Sequence, residues 1–135
     1  MTAVDEDTPI AFDVVPGQSK DAPLLEPLLQ QTIDLVGTVD ILVGDKGFDG
    51  DDQRVACLDN GAVPNIPNRK NRTDPWPHDP EGYKDRNRIE RLFCKLKQFR
   101  RVATRYEKLK VTFIGMIHVA FSFIRLRRIH RDRER

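Results

Sequence analysis

Within the stretch YKDRNRIERLFCKLK, four residues with side chains that could do chemistry fall in one row: Tyr83, Arg86, Glu90 and Lys97. A carboxylate can hold a hard divalent cation with its waters, and a guanidinium and an ammonium carry positive charge. A phenol adds a hydroxyl. At about 100° per residue the four share a helical stripe roughly 60° wide, beside an apolar face made of Ile89, Leu92, Phe93, Leu96 and Phe99. Periodicity alone leaves a second account open, because Arg86 and Glu90 are also an ordinary i, i+4 pair on a solvated face. Asp45 poses the same choice. It follows the apolar run Ile41-Leu42-Val43 in GDKG, where it is either the cap of the next helix or a carboxylate held at a strand end, the place where α/β sheets present catalytic acids.

The elements that must position these residues follow from the pattern. PIAFDVV, ending at Pro16-Gly17, predicts a strand, with TAV as its hairpin partner across Asp5-Glu6-Asp7. APLLEPLLQQTIDLV predicts an amphipathic helix with Asp21 as its cap, and DILVGDKG a short buried strand. DDQRVACLDNG predicts a short helix closed by Asn60-Gly61, and AVPNIP a strand at or near a sheet edge because of its prolines. Residues 68–82 predict an exposed loop. Helix resumes from Tyr83 to about Val102 and again from Val111 to about Arg128. The second of these has no charged residue from Val111 to Ile124, which predicts burial on most sides. The alternation is that of an α/β fold.

With 135 residues and 39% hydrophobic content, the chain is sized for one core. No run approaches the roughly 18 apolar residues of a spanning helix, and the acidic start resembles no secretory leader, so a soluble cytoplasmic protein with no membrane partner is expected. Cys57 and Cys94 lack metal or disulfide spacing and are expected to be small buried hydrophobes. His118 is expected to be a core imidazole. The net charge of +2 conceals an asymmetry: residues 1–60 carry 13 acidic and 3 basic side chains, residues 61–135 carry 8 acidic and 20 basic. So basic a C-terminal half points to a polyanionic partner, of which nucleic acid is the commonest.

The spacing Y-(2)-R-(3)-E-(6)-K resembles the signature of bacterial insertion-sequence transposases of the DDE superfamily. DKGFD at 45–49, IPNRKNR at 66–72 and IERLFCKLKQFRRVATRYEKL at 89–109 are similar to that family's text. The resemblance implies an incomplete ribonuclease H-like fold over residues 1–128, a mixed sheet flanked by helices with long C-terminal helices, followed by a basic tail at 129–135. It implies Asp45 and Glu90 as catalytic, metal-binding carboxylates. Tyr83, Arg86 and Lys97 would hold DNA phosphates, and Arg69, Lys70 and Arg72 in the basic loop would also contact DNA. The complete enzyme would use a two-metal site of Mg2+ or Mn2+ to cleave transposon ends and join them to target DNA.

The family's first aspartate lies on a strand upstream of the hairpin that here opens at Met1. Asp5 and Asp7 match no first-strand motif. The chain is therefore expected to be the C-terminal part of such an enzyme, to do little alone, and to associate with a first-half polypeptide or with itself through an unpaired sheet edge. A DNA-binding or regulatory fragment that makes no cut is the alternative.

Overall fold

A computed structural model of the chain describes residues 1–105 and 108–135; Tyr106 and Glu107, in the family-like stretch, lie outside the described residues. The chain forms two compact units, one of Met1–Val14 with Asn87–Arg135, the other of Val15–Arg86. Each buries its own apolar cluster.

In the first unit, strands β1 (Thr2–Asp5) and β2 (Thr8–Ala11) pair antiparallel across the Glu6-Asp7 turn, as the hairpin pattern predicts. Helix α4 (Asn87–Lys97) contributes Leu92 and Leu96 to the core. The long helix α6 (Lys110–Arg133) contributes Phe113, Ile117, Ala120, Phe121 and Ile124, all on one stripe. Phe12 packs edge-on against Phe121 with ring centroids 5.5 Å apart. The uncharged run of α6 is not buried on most sides: Val111, Val119 and Phe123 are exposed, because neighbours cover a single face and absence of charge does not create partners. For the same reason Phe93, Cys94 and His118 are exposed rather than in the core, with the His118 ring lying against Phe12. The basic end expected as a tail is helical to Arg133.

The acidic turn is locked by cations. Asp7, with only 5% of its surface exposed, accepts from Lys95 Nζ at 2.6 Å and lies 3.4 Å from Arg131. Asp5 pairs with Arg128 at 2.7 Å and accepts the Asp7 amide at 2.8 Å, and Glu6 pairs with Arg91 at 2.9 Å. Burial pushes the Asp5 carboxyl up, but the Asp7 amide and Arg128 outweigh it and hold the group below its ordinary value.

The second unit begins its regular structure with helix α1 (Leu25–Val36), entered through a 3-10 turn at Ala22–Leu24. Strand β3 (Ile41–Val43), helix α2 (Asp51–Asp59) and strand β4 (Val63–Asn65) then form a strand–helix–strand crossover with β3 and β4 parallel. Gly61 closes α2 at φ +79°, where only a residue without a side chain is unstrained, so the Asn60-Gly61 stop signal holds. Leu42 faces the cluster of Leu25, Leu29, Cys57, Ala62 and Ile66. Burial pushes the Cys57 thiol up to about 11. The strands thus form two separate pairs among the described residues, in place of the expected single mixed sheet.

The predicted continuous helix from Tyr83 is interrupted. Helix α3 (Pro80–Tyr83) is capped by Asp79, whose carboxylate accepts the amides of Glu81 and Gly82. A 3-10 turn then occupies Lys84–Arg86 before α4 starts, and a break at Gln98-Phe99 precedes α5 (Arg100–Ala103). Three residues at the tighter 3-10 winding rotate the chain about 60° away from the uniform α-helical wheel. Tyr83 and Arg86 therefore do not share one regular helix with Glu90 and Lys97.

Two substitutions test these anchors. Leu92→Ala, at a fully buried position, is expected to lower unfolding free energy by about 2–5 kcal/mol in urea titrations. Asp7→Asn is expected to lower it by about 1–3 kcal/mol, less than for a wholly buried pair because Lys95 is partly in water. An unchanged midpoint for Asp7→Asn would show that the turn does not depend on its ion pairs.

Candidate functional site

Asp45 sits one residue beyond Gly44 at the C-terminal end of β3, with extended backbone. It caps the turn that follows, as one of the two readings of the sequence expects. Its Oδ1 accepts the Gly47 amide at 2.7 Å and caps the 3-10 turn Lys46–Phe48, while Oδ2 lies 3.6 Å from an Arg86 guanidinium nitrogen. Nearly half of the Asp45 side chain is exposed. The arrangement is thus a half-solvated carboxylate at a strand end beside a guanidinium.

Directly behind this turn lies a residue that sequence reasoning passed over. Asp49 is buried, with no exposed side-chain surface, and is surrounded by donors. Arg54, equally buried, donates Nε at 3.1 Å and Nη2 at 2.8 Å to Asp49 Oδ1; the Arg69 amide donates to Oδ2 at 2.6 Å; and Arg72 Nη1 adds a bond of 3.1 Å. Burial pushes the Asp49 carboxyl up, but the Arg69 amide and the Arg54 and Arg72 guanidinium groups more than reverse this and hold it below its ordinary value. Arg54 also donates to the Ile66 carbonyl at 2.8 Å and lies 5.6 Å from the Trp76 ring centre.

The basic loop is thereby fastened rather than loose. Asn68 and the Trp76 main chain exchange two hydrogen bonds, at 2.8 and 2.9 Å, and Asn65 does the same with Asp79, at 3.0 and 3.1 Å. Arg72, predicted to contact DNA, is drawn inward to Asp49, Asp51 and the Asp74 carbonyl. Arg69 reaches across to the carbonyls of Lys46 and Gly47, at 3.2 and 3.4 Å, and only Lys70 of the three is left with no bond described. Nothing in the isolated motif DKGFD flags Asp49 as a buried hub; the usable signal was a charged Arg54 in the middle of a short helix that also supplies a core cysteine.

Tyr83 stacks edge-on with His78, ring centroids 5.3 Å apart, in the same unit as Asp45 and Arg86. Glu90 and Lys97 belong to the other unit, both exposed on α4, Glu90 in its first turn and Lys97 in its last, as the helix dipole favours. In that unit an open cleft of about 410 Å³ is lined by the acidic turn and by Arg88, Arg91, Arg128 and Arg131 rather than by the predicted residues. Asp5 and Asp7 are bound in the ion pairs described above. Among the described residues no three His, Cys, Asp or Glu side chains are grouped to hold a metal ion. The donors of Asp45 and Glu90 are carboxylate oxygens, which suit hard divalent cations.

No helix among the described residues is long and apolar enough to cross a membrane. The sequence profile of the family described as Transposase DDE domain matches residues 42–127, a span that holds Asp45, Glu90 and every other predicted site residue. A Brucella ovis protein assigned as a transposase for insertion sequence element IS6501 is 34% identical over 120 residues, 88% of this chain and 89% of that protein. No solved structure matches the chain.

The Asp49–Arg54 hub gives a signed pH prediction. A carboxyl lowered on folding contributes stability that is fully present above its unfolded value near 3.8 and is lost as pH falls through the lower folded value. Asp49→Asn is expected to cost about 3–5 kcal/mol at pH 7, because Arg54 is left buried without its counter-ion. The same variant should flatten the fall in stability below about pH 4. Parallel acid-limb curves for wild type and variant in chemical denaturation would contradict this.

Proposed function

This chain belongs to the transposase DDE domain family, and from that premise we propose that it supplies two metal-binding carboxylates, Asp45 and Glu90, and a phosphate-binding set of Arg86, Lys97 and Tyr83 to DNA strand cleavage and transfer. The general role, DNA transposition with DNA as partner, follows from the family. The finer reading, a member of the group with the Y-R-E-K signature and a ribonuclease H-like catalytic domain, rests on the spacing of those residues and on the strand-end position of Asp45. The observation that carries it is the Arg86–Asp45 pair, 3.6 Å apart at the end of a parallel strand.

In this reading each residue has a separate task. Arg86 and Lys97 neutralise and orient the phosphodiester, Tyr83 offers its hydroxyl and ring to the same backbone, and Lys70 adds a positive charge on the loop. Asp45 and Glu90 hold divalent cations. When bound, Mg2+ or Mn2+ would activate the attacking oxygen and stabilise the leaving one. The Gly47 amide fixes one Asp45 oxygen for this, while the other lies 3.6 Å from Arg86. A three-carboxylate site is the family's usual complement, and Asp5 and Asp7 are tied to Arg128, Lys95 and Arg131. Asp45 and Glu90 are the two carboxylates this reading assigns among the described residues.

The test is DNA binding and nicking on double-stranded oligonucleotides carrying the element's ends. Arg86→Ala and Lys97→Ala are each expected to weaken binding across sequences and to reduce the slope of log affinity against log salt by about one. Asp45→Asn and Glu90→Gln should bind DNA at least as well as wild type. The chain alone with Mg2+ should nick at no more than trace level. Robust nicking that survives Asp45→Asn would overturn the assignment of Asp45, and unchanged salt slopes would overturn that of the cations.

A further inference from the structure

The Asp45 carboxylate is held by a relay that nothing in the motif spacing announces. Arg69 is clamped at its main chain, where its amide donates to buried Asp49 at 2.6 Å. From that fixed point its side chain returns over the turn after β3 and donates to the carbonyls of Lys46 at 3.2 Å and Gly47 at 3.4 Å. The same turn points the Gly47 amide at Asp45 Oδ1, 2.7 Å away. Gly47 is constrained from the other side too, since a Cβ there would lie 2.8 Å from Asp45 Oδ1, closer than real Cβ atoms come. The atom met is the far end of a flexible side chain, so an added methyl would move the carboxylate and spare the backbone.

We infer that Arg69 and Gly47 are positioning residues for Asp45: Arg69 holds the turn through its two carbonyls, and Gly47 both donates the bond that aims the carboxylate and leaves the space it occupies. Arg69 thus acts on the site through the main chain rather than by touching DNA. The inference rests on the reading of Asp45 as a cation ligand. Neighbours that orient a ligand typically change metal affinity about 10- to 100-fold when mutated.

The experiment measures Mn2+ binding to the full chain by isothermal titration, with thermal unfolding run on each variant. Gly47→Ala and Arg69→Gln are each expected to weaken Mn2+ binding about tenfold while the melting temperature stays within a few degrees of wild type. Arg69→Lys, which can still reach one carbonyl, should restore part of the loss. The sign separates this from simple charge removal, because deleting a nearby positive charge would strengthen cation binding. Binding by Gly47→Ala and Arg69→Gln equal to or tighter than wild type, with Asp45→Asn weakened, would overturn the relay and leave the ligand assignment standing. Binding unaffected by Asp45→Asn would overturn both. Should Arg69→Gln melt far below wild type, Gly47→Ala decides alone, since its new methyl meets only the Asp45 side chain.

Discussion

A carboxylate with no exposed surface is the constraint on which the second unit depends. Asp49 cannot be buried as an anion without compensation, and it receives it from two arginines and a main-chain amide. Because these donors come from α2 and from the loop after β4, neutralising one charge fixes three pieces of chain at once. The Asn68 and Asn65 side chains then fasten the rest of the loop through main-chain bonds. A segment whose prolines and charges suggest a free loop is thereby given a defined course. The turn that carries Asp45 inherits that definition through Arg69.

The first unit uses the same physics in a milder form. Three consecutive acids at a hairpin turn would repel one another, and cations from α4 and α6 offset them. This removes Asp5 and Asp7 from the pool of available ligands as a consequence of folding. It also turns part of the basic C-terminal half inward. The sequence asymmetry between halves therefore overstates the charge left for a polyanion: Arg91, Lys95, Arg128 and Arg131 answer the chain's own acids, while Lys70 and Lys97 remain on the surface.

Much of the architecture was legible because it rests on local rules. The hairpin at Asp5–Asp7, the helix from Leu25, the strand at Ile41–Val43 and the stop at Asn60-Gly61 each follow from period or turn chemistry, although the burial expected of that strand does not hold, since Ile41 is exposed. Three features were not legible. The α-helical wheel assumed uniform winding through Tyr83–Lys97, whereas Asp79 caps a separate turn and a 3-10 segment intervenes. The apolar run of α6 was read as burial, although burial depends on how many neighbours a helix has. Arg69 and Arg72 were assigned to DNA from the resemblance of IPNRKNR, and their bonds to Asp49, 20 and 23 residues earlier in the chain, come only with the fold.

Asp45, held at its strand end, and Glu90 are the proposed ligands of divalent cations. Paramagnetic broadening of amide resonances by substoichiometric Mn2+ tests that assignment most directly, because the effect falls steeply with distance from the ion and needs no catalytic turnover. The Gly47 amide and those flanking Asp45 and Glu90 are expected to broaden first. Broadening that begins instead at the acidic turn Asp5–Asp7, or at Asp51 and Asp52 at the start of α2, with Gly47 unaffected, would contradict it.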